Sequence, residues 1–397
     1  MRPKQLFWIV KILAISFLMF MALVFVYTKL YKVRMDVQER SMRSRQEDTD
    51  LPRQEELLSK LYYEKFADLA ENHLLSKYPV HTACKDEKRP AVPCYDTECG
   101  TSLTHDLKLS IGSLLSVTRK SRTAFSNPHK DITAQLESSH LAIITGASAN
   151  HFAESQGLIQ SLHKNVFPKF NNISLYYYDF GLDKGQLEQL MRHCRCKVLK
   201  FPVHLLPTNA TRNIKCFAWK VLIIEAHLTK TDMLIYADTS VRFNSTKNED
   251  LFTDLANKGL LLSLSDRYVR PVAHNTAPSM FKYFNIQPCS VANFQELEAG
   301  FVALLNQPFT RQVLVQTWAA CAMDPNCMCP EGSHDLQHCD GGLRKYAKCH
   351  RFDQSALTLI TLQLFQDYYS SFFFDHSYYS VLRGDRPKYF EALNKAV

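Results

Sequence analysis

Glycine is scarce in this chain, at 12 of 397 residues. No G-x-x-x-x-G-K-[ST] and no G-x-G-x-x-G occurs, which removes the P-loop and the dinucleotide fingerprint. The short TGAS stretch at 145–148 is too small to restore either. Excess charge is missing from most of the chain as well. The formal net charge is +8, but residues 1–34 carry six basic side chains and no acid, leaving about +2 for everything after them. Nucleic acid is therefore not an expected partner. No internal repeat is visible. Apolar residues are not lacking, at 46%, with aromatics at 12%, so most of the chain is expected to be globular.

The basic residues near the start bracket the apolar run LFWIVKILAISFLMFMALVFVY, Leu6 to Tyr27, broken only by Lys11. As a helix this run would rise about 33 Å, enough to cross the hydrocarbon layer. It is longer than the apolar core of a secretory signal, and no small-x-small cleavage site closes it, so a retained signal-anchor is expected. Basic residues on both flanks leave orientation undecided by charge. The twelve cysteines, all beyond the anchor, favour an oxidising lumen. Three glycan acceptor tripeptides, at Asn172, Asn209 and Asn244, agree. The expectation is a single-pass type II protein of the lipid bilayer, in a Golgi or other secretory-pathway membrane.

Residues 55–75, EELLSKLYYEKFADLAENHLL, place Leu58, Leu61, Tyr62, Phe66 and Leu69 at helical spacing. This reads as an amphipathic helix in a stem. From His140 the texture alternates. HLAIIT, ISLYYYD, KVLKF, DMLIYAD and GLLLSLS read as strands; FAESQGLIQSLHKN, KGQLEQLMRHC and IKCFAWKVLIIEAHL read as helices. Strands alternating with helices of this length predict an α/β fold with a mostly parallel sheet covered on both faces. Ligands of such sheets gather beyond the carboxyl ends of the strands. LIYADTSVRF, 234–243, puts Asp238 at such an end with Thr239 and Ser240 behind it. A carboxylate there suits a hard cation that bridges phosphates; a turn or capping aspartate is the plainer alternative.

Cys321, Cys327, Cys329, Cys339 and Cys349 crowd one segment together with His334, His338 and His350. Cys-x-Cys is not the usual spacing of a structural zinc site, so disulfides are expected, with connectivity open.

The succession of DFGLDKGQLEQL, LIYADTSVRF, ELEAGFVALL and HRFDQSAL resembles a domain family of unknown function found in secretory-pathway membrane proteins. That family in turn resembles nucleotide-diphospho-sugar transferases of the GT-A fold, over about 140–385. The resemblance implies a glycosyltransferase that moves a sugar from a nucleotide-sugar donor to a glycan or glycoprotein acceptor. It implies Mn²⁺ or Mg²⁺ held by an Asp-x-Asp, of which Asp238 matches the first acid and Ser240 replaces the second. His376, in FFFDHSYY, would add a metal ligand, or else pack among aromatics. Asp353 and Gln354 match a pair near the transferred sugar, and Glu298, in LEAGF with Gly300, an acid–base position on the acceptor side. Trp219, Lys220 and Arg242 would flank the donor, Lys220 or Arg242 screening the diphosphate.

The expected organisation is a cytosolic tail at 1–5, an anchor at 6–28, a stem at 29–138, the GT-A-like domain at 139–385 and a tail at 386–397. Two other functions stay open: a non-catalytic sugar-nucleotide or glycan binder on the same fold, and a disulfide-rich surface protein.

Overall fold

The computed structural model describes residues 52–77, 106–170, 172–244, 247–264, 271–292, 294–336, 339, 349–374 and 376–395. The expected cytosolic tail and anchor, Cys84, Cys94 and Cys99 lie outside them. Among the described residues no helix is long and apolar enough to cross a membrane. The described residues from Leu58 onward make one compact unit.

Four strands run parallel: β1 (Ser139–Ala147), β2 (Ile173–Asp179), β3 (Lys197–Lys200) and β4 (Thr231–Ala237). The centres of β1, β2 and β4 are continuous apolar runs with almost no solvent contact, Leu141–Ile144 and Leu175–Tyr178 among them, as helices on both faces require. β5 (Val241–Phe243) leaves the main sheet, and β6 (Leu260–Leu264) rejoins it. β7 (Leu297–Leu305) lies between β4 and β6 and is antiparallel to both. The order is β3-β2-β1-β4-β7-β6, so the chain steps outward from β1 in one direction and then returns to its other side at β4. The crevice outside the carboxyl ends of β1 and β4 is thus the switch point where open α/β sheets bind ligands. β8 (Tyr379–Val381) pairs with β5 in a separate two-stranded ribbon.

The helices are α1 (52–71), α2 (Leu107–Thr133), α3 (Phe152–Asn165), α4 (Lys184–His193), α5 (Thr208–Arg212), α6 (Ala218–Leu228), α7 (Asn248–Lys258), α8 (Pro278–Phe284), α9 (Gln316–Met323), α10 (Asp353–Phe365) and α11 (Tyr389–Lys395). On one face of the sheet α2, α6, α9 and α10 pack together, and on the other α11 packs on α3 and α4. Two of these helices differ from the stem expected at 29–138. Leu58, Tyr62 and Leu69 of α1 are buried in the body; Tyr62 donates to Leu364 O at 2.9 Å and its ring packs on Phe309 and Phe365. α2 buries Ile111, Leu114 and Ile132 against its neighbours. Both amphipathic stripes face core rather than spacer.

His129 of α2 hydrogen-bonds the buried carboxylate of Glu225 on α6. That bond holds the His129 pKa above its ordinary value. The stability it contributes is therefore complete below the unfolded pKa, near 6.5, and drains away as pH rises through the folded one. His129→Gln should flatten this part of the pH–stability curve and cost about 1.5 kcal/mol at pH 6, the lower range for a charge-assisted bond. Urea titrations of both proteins at pH 6 and 8 check it.

The cysteines are bridged as expected, with one partner from outside the segment. Cys321 pairs with Cys327, Cys339 with Cys349, and Cys329 with Cys216. Cys194–Cys196 is a fourth bridge, and no described cysteine is free. Cys216–Cys329 spans 113 residues and ties the approach to α6 to the loop after α9. Closing a loop of that length removes so much freedom from the unfolded chain that Cys329→Ser should cost about 4–5 kcal/mol. A fall in the urea midpoint of the non-reduced protein reads it.

Candidate functional site

β4 ends at Ala237, and the next residues turn the chain into β5. Asp238 N donates to Gly300 O at 2.8 Å, and Val241 N donates to Asp238 O at 3.0 Å. The two hydroxyl residues of DTS thus form the turn. The Asp238 side chain stands on Gly300 of β7: a Cβ there would come within 2.9 Å of Asp238 Oδ2. Any larger residue at 300 would push the carboxylate away, so glycine serves close approach here. Tyr236, two residues back on the same strand face, donates its hydroxyl to Asp238 Oδ1 at 2.8 Å. Burial drives the Tyr236 pKa well up, so the phenol remains a donor.

Lys220 supplies the cation. It lies in the first turn of α6, a helix buried on every side, and its side chain is only 4% exposed. Nζ sits 2.8 Å from Asp353 Oδ2, 3.1 Å from Ala299 O and 3.5 Å from Asp238 Oδ1. A helix N-terminus is a poor place for a cation. Burial lowers the Lys220 pKa, but the charges of Asp238 and Asp353 outweigh it and hold the net value up. Asp353 is itself buried, which pushes its carboxyl above the ordinary range although Lys220 pulls it down. Its carbonyl accepts from Trp318 Nε1 at 3.0 Å. Asp353 is not the cap of α10. It is that helix's first residue, after Phe352 at φ 50°, and its carboxylate serves Lys220 instead. The carboxylate still gains from lying at the helix N-terminus. Gln354 donates from Nε2 to Leu297 O at 3.3 Å and accepts from Arg351 Nη2 at 3.3 Å. Ala299, Gly300, Asp238, Lys220 and Asp353 therefore meet at the carboxyl end of β4.

Several expected donor-side residues go elsewhere. Trp219 turns away from Lys220, packing its ring against Phe180 in a tilted arrangement with centroids 4.2 Å apart and donating to Ile214 O. Arg242 fills a socket that Gly157 leaves open and binds Glu154 O, Thr239 O, Val241 O and Asp385 Oδ2. It locks the turn to α3 and the C-terminal segment, with both terminal guanidinium nitrogens spent on those contacts. Lys220 is likewise too deeply committed to screen a diphosphate. Ser240 is 5% exposed, and its carbonyl accepts from Leu382 N at 2.8 Å. Glu298 lies on β7 two residues before Gly300, hence on the same strand face, with no ion pair among the described residues. The His376 side chain lies outside what is described. Asn172 and Asn244 are exposed, although Asn244 Nδ2 already donates to Ser377 O at 2.9 Å; Asn209 is half-buried in α5.

A divalent cation does not find a ready set of ligands here. Asp238 Oδ1 is taken by Tyr236 and faces an ammonium, leaving Oδ2 alone, and Ser240 is buried where a second acid would be needed. Among the described residues no group of three His, Cys, Asp or Glu could hold a metal ion. Mg²⁺ demands octahedral coordination, with one or two protein carboxylates beside waters and substrate phosphates. The donor set does not fit a preformed Mn²⁺ or Mg²⁺ centre.

No family model matches the chain, and no curated protein does. Solved structures that it resembles include glycosyltransferases. The galactosyltransferase LgtC, solved with donor and acceptor sugar analogs, matches at 15% identity and a TM-score of 0.30, over 44% of this chain and 60% of its own. Mouse xyloside xylosyltransferase 1, in its apo form, matches at 15% identity and 0.37, over 64% of this chain and all of its own. Core-mannan synthase A from Aspergillus fumigatus, in a Mn/GDP form, matches at 9% and 0.38, over 59% and 72%. These overlaps are partial, and the likeness is one of fold.

Two residues of the site escaped the sequence reading. Tyr236 was within reach, since LIYAD puts it on the Asp238 side of the strand by period two. Phe217 was not. The run IKCFAWKVLIIEAHL reads as one helix, but it is a short 3-10 turn, Ile214–Cys216, and then α6, with Phe217 between them at φ 57°. A bulky side chain in that left-handed conformation costs about 1–2 kcal/mol. Its ring centroid lies 4.8 Å from Lys220 Nζ, an arrangement that returns about 0.5–2 kcal/mol.

Proposed function

We propose that this protein transfers a sugar from a nucleotide-sugar donor to a glycan or glycoprotein acceptor. The observation that carries the reading is the place of Asp238: a partly exposed carboxylate at the carboxyl end of β4, at the strand-order switch point, backed by the buried Lys220–Asp353 pair. Asp238 Oδ2 lies beside Gly300 on a side chain 32% exposed, takes no hydrogen bond among the described residues, and can accept from a substrate hydroxyl. Lys220 and Asp353 hold that carboxylate in place. Gln354, at the start of α10, borders the same end of β7 and is placed to meet the transferred sugar or the acceptor. Glu298 remains a candidate acid–base group on its strand face. The secretory-pathway lumen, reached through an anchor at 6–28, is part of the same proposal and draws its support from the bridged cysteines.

A binding protein without catalysis is the second reading. One observation favours it: Asp238, Asp353 and Lys220 sum to a formal charge of −1, and neither Lys220 nor Arg242 is available to a diphosphate. One experiment separates the two. Full-length protein in detergent is heated with each of a panel of UDP-, GDP- and CMP-sugars, and nucleotide release is measured in parallel. A ligand at 100 times its Kd adds about 2.7 kcal/mol to stability. A shift accompanied by nucleotide release supports transfer; a shift without release supports binding alone. No shift and no release with any donor would remove the donor site.

A further inference from the structure

A second concavity lies away from Asp238. β7 passes Gly300 at the candidate site and ends at Leu305; two residues later, Gln307 borders a cavity of about 200 Å³. Tyr62 and Phe66 of α1 line it together with Phe309, Phe365 and Phe372 of the body. Leaving so much apolar wall unfilled costs stability that a close-packed core avoids. The chain beside it is a π-helical turn, Thr310–Val315, which contributes Thr310 and Leu314 to the wall. Such turns are rare and recur at functional sites. Polar groups are few at this wall. Lys258, the last residue of α7, is half-buried and has no ion pair among the described residues; its Nζ donates to Phe373 O at 3.4 Å, long for a hydrogen bond. Lys65 Nζ reaches the same end of α7, donating to Asn257 O, but its pairing with Asp68 at 3.1 Å cancels its charge. The Gln307 carboxamide lies over Gly259 and has no hydrogen-bond partner among the described residues.

We propose that this cavity binds a single-chain alkyl carboxylate of medium length, its chain among the aromatic residues and its carboxylate on Lys258. An apolar cavity with a few convergent polar groups is the usual form of a small-molecule site. Charge selects the head group. Lys65 and Asp68 cancel, so Lys258 leaves the lining with one uncompensated positive charge, and the Gln307 amide adds a neutral donor. A half-buried ammonium gains most from an anion. Volume selects the tail: an apolar cavity of about 150 Å³ holds benzene, so this one takes a chain of roughly eight carbons. A two-chain lipid is too large for it, and a cationic amphiphile would set like charges together. The inference uses no part of the transferase reading, because the cavity lies at the end of β7 opposite Gly300.

The test titrates full-length protein in phosphatidylcholine nanodiscs into trifluoromethyl-labelled octanoate, followed by fluorine NMR, with empty nanodiscs as the blank. Detergent is avoided because it would compete for the cavity. Saturable binding of one octanoate per chain, beyond the blank, is expected. Unlabelled octanoate should displace the probe, and octylamine at the same concentration should not. Lys258→Met keeps the aliphatic stem and should weaken binding about fivefold, the upper end for a partly exposed charge pair. Leu61→Trp fills the cavity from α1 and should abolish binding. If Leu61→Trp fails to fold, Lys258→Met decides alone, since no carboxylate is stranded by that change. The proposal is overturned if no saturable binding exceeds the blank, if octylamine displaces the probe as well as octanoate does, or if either folded variant binds as the wild type does.

Discussion

An Asp238→Asn protein is expected to fold normally and to lose glycosyl transfer by about 10²–10³-fold, the loss that attends removal of one preorganised electrostatic contact. Folding should survive because asparagine keeps the shape above Gly300 and can still accept from Tyr236. The Lys220–Asp353 pair remains intact, so no buried charge is stranded. Substrate binding should fall with turnover, because the partly exposed side chain loses its negative charge. Nucleotide release and thermal melting of wild type and variant, side by side, are the measurements. A variant that releases nucleotide at the wild-type rate would take Asp238 out of the site. One that melts several degrees lower would make the carboxylate a structural turn residue.

Lys220→Met should act on stability instead. Methionine fills the volume but leaves Asp353, 3% exposed, without its cation, and breaking a buried pair from one side costs about 3–5 kcal/mol. The loss should depend on pH. Burial already holds the Asp353 carboxyl above the ordinary carboxylate range, and without Lys220 it rises further. A folded-state pKa above the unfolded one penalises the native state once pH exceeds the unfolded value, so the deficit should shrink on acidification toward pH 4. The double variant Lys220→Met/Asp353→Asn removes both charges and should recover most of the stability at neutral pH. Urea midpoints of the three proteins at pH 4.5 and 7 decide. Equal losses in the single and double variants would show that an unpaired Asp353 charge is not what destabilises the single one.

These expectations differ in how much of their basis was visible in the chain. The central strands and the helices between them were legible, and α3 and β2 begin and end where their apolar patterns do. Asp238 at a strand end was legible for the same reason. The break at Phe217 was not, because nothing in IKCFAWKVLIIEAHL is a helix breaker and the bend comes from tertiary constraint. The partners of Lys220 and Arg242 were not legible either. A basic side chain in a sequence has no stated partner, and each here is spent on carboxylates and carbonyls from distant segments.

The alternating α/β pattern, the oxidising character of the cysteine-rich part and the carboxylate that ends β4 are all written in the chain. They arise from periodicities and residue types that act locally. The antiparallel course of β7 beside β4, which brings Gly300 under Asp238 and Ala299 O to Lys220, emerged only from the folded arrangement. So did the place of α1 and α2 in the body, and the reach of Cys329 back to Cys216. Strand direction, docking and bridge connectivity are set by contacts between residues far apart in the chain, and local sequence carries no record of which of them will meet.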